Sequence, residues 1–96
     1  MPQTRFGLET GEQILGYELV EEQAVTLGRL GRKMEQALAA LAAHAGREGR
    51  AERVAAAAEA VWFFLIQREL MGLRDRAAVI AHYGIPREVL NRIGAR

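Results

Sequence analysis

Arg68, Glu69, Arg74, Asp75 and Arg76 stand close together in the chain, bases and acids mixed. An arginine fork can hold a carboxylate through two parallel hydrogen bonds, which gives such a cluster chemistry beyond simple solvation. One reading is an ion-pair network that fixes a corner between two helices. Another is an anion or acidic-peptide site made by Arg68, Arg74 and Arg76. A third is a catalytic centre built on Arg68, Glu69 and His82. The apolar run "VWFFLI" at 61–66 lies directly upstream and predicts half-burial of Arg68 and Glu69, which favours the structural network.

A second constellation sits in "HYGIPREVL" at 82–90 and the residues after it. Two short helices around a glycine, with apolar flanks, is the layout of a helix-turn-helix, whose second helix enters the major groove. Arg87, Asn91 and Arg92 would then be the candidate DNA contacts, since arginine reads guanine and asparagine adenine. Three observations oppose this. Position 80, four before Gly84, is isoleucine where close helix crossing wants a small residue; the following helix carries few bases for phosphate; and the whole chain has a net charge of only +1. A glycine stop followed by a proline start is also ordinary punctuation between any two helices.

Other chemistries lack their residues. There is no cysteine and no serine among the 96 positions, so disulfides, thiolate ligands and serine nucleophiles are excluded. His44 and His82 have no metal-ligand neighbour at helical spacing and are expected near helix C-termini, where the dipole favours them. No glycine-rich phosphate loop follows a strand, so no cofactor and no metal is expected. Charge is unevenly placed: residues 1–35 carry six acids against four bases, whereas residues 74–96 carry five arginines against two acids. No signal-peptide layout and no apolar run of membrane-spanning length is present, and a cytoplasmic protein without membrane contact is the expectation.

The periodicity that must position these residues is helical throughout. Residues 1–9 read as a flexible N-terminal tail, pinned by Phe6 or Leu8, ahead of a single helical domain over 10–96. "TGEQ" at 10–13 has the form of a capping box. A first helix is predicted over about 11–44, with an inner stripe through Tyr17, Val20, Ala24, Leu27, Gly31, Met34, Leu38, Leu41 and Ala45, in steps of three and four. A second is predicted over about 50–71, after glycines that suit helix ends. Asp75 is a good N-cap for a third over about 76–83, and Pro86 a good first residue for a fourth over about 86–93. The fold class is therefore all-α: a long antiparallel hairpin with two short C-terminal helices closing its open end.

Two features call for a partner. Gly28 and Gly31 each cost about 1 kcal/mol against alanine inside a helix, which signals either a break near residue 28 or a close crossing within the chain or across a dimer. "VWFFLI" is apolar on every side and needs cover on every side. Gly28, Gly31, Trp62, Phe63 and Ile66 are accordingly the candidate dimer or helix-crossing residues, in a homodimeric helical bundle.

The stretches "LGYELVEEQAVTLGRLGRKMEQALAAL" and "AVWFFLIQRELMGLRDRAAVIAHYGIPREVLNRIG" resemble a family of small bacterial all-α proteins known only as a domain of unknown function. The resemblance spans most of residues 15–94 and implies the fold, but no activity, ligand or catalytic residue. The leading expectation is a non-enzymatic protein-interaction or oligomerisation module, acting as a homodimer or on another protein; the alternative is DNA binding through residues 75–93.

Overall fold

Alanine, leucine, glutamate and arginine dominate the chain, and no proline falls between Pro2 and Pro86, so long helices are unobstructed. The computed structural model describes residues 2–94, with side chains from Ile14 onward. It is all-α over those residues: α1 Pro2–Ala43, α2 Arg50–Leu70, α3 Arg76–Tyr83 and α4 Arg87–Gly94. The signals that bound α3 lie where the sequence places them. The Asp75 carboxylate accepts from the Ala78 amide at 3.1 Å, and Gly84 ends the helix at φ 60°, with the Ile85 amide donating back to the Ile80 carbonyl.

Two element bounds are corrected and one open alternative is decided. The α1 backbone is already helical from Pro2, so the helix does not start at the Thr10–Gln13 box and residues 2–9 are not an irregular tail. Proline suits a first helical position, and the residues after it contain nothing that forbids continuation. The side chains of Phe6, Leu8, Thr10 and Gln13 lie outside the described residues. Gly28 does not break α1, which runs through it. Pro86 precedes α4 as its cap: its carbonyl accepts from Val89 and Leu90, while the first helical residue is Arg87.

The core is built from Met34 and Leu41 of α1, five residues of α2, and Val79, Ile85 and Val89 from the C-terminal segment. Ala57 and Ala58 are fully buried, and their small side chains let α1 and α2 approach closely. Complete burial of a Met, Leu or Val side chain stabilises by about 1.5–3 kcal/mol each, so this short list carries most of the fold. The aromatic rings stack edge to face across it, Phe64 on Tyr83 with centroids 5.6 Å apart.

The short helices lie elsewhere than expected. They do not close the open end of the hairpin. α3 turns back along α1 and α2, bringing His82, Tyr83 and Pro86 beside Leu38, Leu41 and Arg50, and α4 packs at the end where α1 and α2 are joined. Val79, Ile85 and Val89 find apolar cover there that the open end does not offer. The N-terminal half of α1 therefore projects alone. The molecule measures 69 × 22 × 19 Å, with a radius of gyration of 18.7 Å. A compact chain of this length would have about 12.5 Å.

Candidate functional site

The strongest polar contact involves a residue the sequence did not single out. Arg50, first residue of α2, holds Glu88 of α4 in a bidentate pair, Nε to Oε1 at 3.1 Å and Nη2 to Oε2 at 2.6 Å. Its Nη1 also donates to the His44 carbonyl at 3.5 Å, at the end of α1. One guanidinium thus ties three helix ends. The hydrogen bond from Arg50 holds the Glu88 carboxyl below its usual range and, in return, raises Arg50. These positions are 38 residues apart, and no local spacing predicts the pairing.

The 68–76 cluster is divided among separate tasks. Arg76 pairs with Glu69 at 2.7 Å on the surface and sits over the Trp62 ring at 6.0 Å. Asp75 caps α3. Arg74 is exposed, and the half-buried Arg68 makes no ion pair among the described residues. The five residues do not converge on one anion pocket. His82 is exposed at the end of α3 and packs its ring against Tyr83, centroids 4.8 Å apart. His44 follows α1, half-buried, with a shielded Nε2 that has no hydrogen-bond partner among the described residues. Among the described residues, no three His, Cys, Asp or Glu side chains converge as metal ligands would.

Arg87, Asn91 and Arg92 are all exposed on α4. Their spacing puts them on one side of the helix, with Glu88 between them. Val89 is buried on the opposite side, with Leu90 and Ile93 packed on the core.

The candidate crossing residues also separate. A Cβ on Gly31 would stand 3.2 Å from the ring of Phe64, so this glycine serves the crossing of α1 and α2 within the chain. Gly28 is exposed, and a Cβ there would meet only the tip of Arg32 at 3.5 Å. Trp62 and Ile66 are half-buried, and Phe63 is 47% exposed.

The surface also leaves large apolar side chains uncovered. Among the described residues nine large apolar side chains are exposed, six of them on α1 between Ile14 and Val25 and the others Phe63, Leu70 and Leu73. The predicted stripe continues through Tyr17 and Val20, both exposed, and only from Ala24 onward does α2 lie beside it. Leu19 of α1 and Leu70 of α2 line one shallow concavity of about 290 Å³, where one exposed residue of each group meets the other. A longer concavity of about 450 Å³ runs beside it, floored by Leu27, Gly31, Phe64 and Met71 and edged by Arg32 and Arg68. The stretch of α1 that bears the exposed apolar residues also carries Glu18, Glu21 and Glu22, none of them ion-paired among the described residues. No described helix is long and apolar enough to cross a membrane.

Comparison with known proteins agrees with the resemblance carried by the helix sequences. A family model described as "Family of unknown function (DUF6665)" matches residues 5–96. No curated protein and no solved structure matches the chain.

Proposed function

We propose, on the premise that this chain belongs to the family of unknown function DUF6665, that it is a non-enzymatic self-association module whose working form is a homodimer. The carrying observation is the six large apolar side chains exposed between Ile14 and Val25 on the projecting half of α1. Scattered apolar side chains are normal on a surface, but this concentration on one uncovered stretch of helix marks an interaction site. Area supports the same reading. The chain exposes 7082 Å², against about 5,500 Å² for a folded monomer of its mass. The excess exceeds the roughly 800 Å² per partner that a standard interface covers.

Sedimentation across a dilution series tests this. Tyr17 and Val20 are 67% and 59% exposed, so Tyr17→Glu with Val20→Glu leaves the monomer core untouched. The wild-type chain is expected to dimerise and the variant to remain a monomer with unchanged helicity. A wild-type chain that stays monomeric at every concentration overturns the reading and points to a different protein as partner.

The joint exposure of Arg87, Asn91 and Arg92 supports a second reading, DNA binding through α4. It predicts duplex binding that weakens with salt and with Arg87→Ala and Arg92→Ala. Absence of binding at low salt removes it.

A further inference from the structure

We infer that two copies pair antiparallel through one seam of α1, with the projecting half of each lying in the concavity of the other. This rests on the self-association proposed above and specifies its geometry. Tyr17, Glu21, Ala24, Gly28, Gly31 and Glu35 follow one another in steps of four and three, the spacing of a seam between paired helices. Ala24, Gly28, Gly31 and Glu35 line the 450 Å³ concavity between α1 and α2, and Tyr17 and Glu21 continue the same line beyond it. The seam is self-complementary. A two-fold at the level of Thr26 sets Ala24 against Gly28 of the second copy, Glu21 against its Gly31, and Tyr17 against its Glu35.

Each meeting makes chemical sense. Ala24 and Gly28 are both exposed and small, so the two backbones come closest there. Glu21 arrives at the level of Gly31, whose own face is filled by the Phe64 ring of the same chain, and reaches between Arg32 and Arg68, which line the concavity. Those arginines and Glu21 make no ion pair among the described residues. Antiparallel pairing gives each copy's acid both of the other's edge arginines, whereas parallel pairing would set Glu21 against Glu21. The Tyr17 ring, 67% exposed in the single chain, enters over Phe64 and presents its hydroxyl to donate to the Glu35 carboxylate. The occupant is thus a second copy: the acidic projecting helix matches the basic edges of its own concavity.

Cysteine trapping tests the arrangement, because the chain has no native cysteine. In one chain residues 17 and 35 lie about 27 Å apart along α1, too far for an internal disulfide. Tyr17→Cys combined with Glu35→Cys should therefore oxidise to a covalent dimer, and neither single variant should. Gly28→Leu should weaken dimerisation about tenfold or more by holding the helices apart, without lowering the melting temperature of the dilute monomer. Glu21→Arg should weaken it too, and added Arg32→Glu should restore part of the loss. A chain that dimerises with no 17–35 link, or with 17–17 links, overturns this seam and leaves self-association standing; a chain that never dimerises overturns both.

Discussion

Arg50 and Glu88 join the first turns of α2 and α4 through a bidentate pair whose shorter contact is 2.6 Å. α4 has eight residues and is otherwise held by Val89 and by half-buried Leu90 and Ile93. An isolated helix of that length does not persist in water, so its order depends on these few attachments.

The pair gives α4 a pH dependence with a definite sign. Glu88 is held below its usual range in the folded chain by the Arg50 hydrogen bond, while the unfolded value is about 4.3. Its contribution is present in full above the unfolded value and is lost as pH falls through the folded one. The Val89 and Leu90 amide resonances should report loosening of α4 in that acid window. Glu88→Gln should loosen α4 already at neutral pH and abolish the acid-dependent step. Both groups are solvent-accessible, so added salt should shrink the effect.

Met34 is fully buried between α1 and α2. Met34→Ala should cost about 2–5 kcal/mol in urea unfolding, the range for truncating a large side chain in a packed core. A loss well below that range would mean that the hairpin collapses around the gap.

Gly28 and Gly31 should respond in opposite ways. Gly28→Ala has room and removes a helix penalty, so the monomer should gain about 1 kcal/mol. Gly31→Val drives branched carbons into Phe64, whose ring would lie only 3.2 Å from the first carbon of the new side chain, and should destabilise. Chemical denaturation of both, at a concentration where the wild type is dissociated, separates the two.

Asp75→Ala should cost about 0.5–2 kcal/mol by leaving the Ala78 amide without its acceptor, and Asp75→Asn should retain most of the stability. Thermal melts followed by circular dichroism give the comparison.

Local signals made much of the fold legible. Asp75 and Gly84 mark α3 because a cap and a left-handed turn are properties of a few consecutive residues. The buried stretch of α1 followed from periodicity at Gly31, Met34 and Leu41. Placement of elements was not legible. Tyr17 and Val20 carry the same pattern as Met34, yet both are exposed, because periodicity identifies an apolar face but not what lies against it. The Arg50–Glu88 pair likewise depends on where α4 docks. The 68–76 cluster could be foreseen as charged and close. Its division into a helix cap at Asp75 and a surface pair at Glu69 and Arg76 depends on helix directions that spacing does not encode.

The single projecting length of α1 has a thermodynamic consequence for the chain as a whole. Between Ile14 and Val25 no residue is in the buried core, and Gly16, Val20 and Val25 are weak helix formers. A segment held by backbone bonds alone opens at far lower free energy than the packed hairpin. Melting of the dissociated monomer should therefore not be all-or-none: helicity recedes from that end first, and one transition temperature will not describe the single chain.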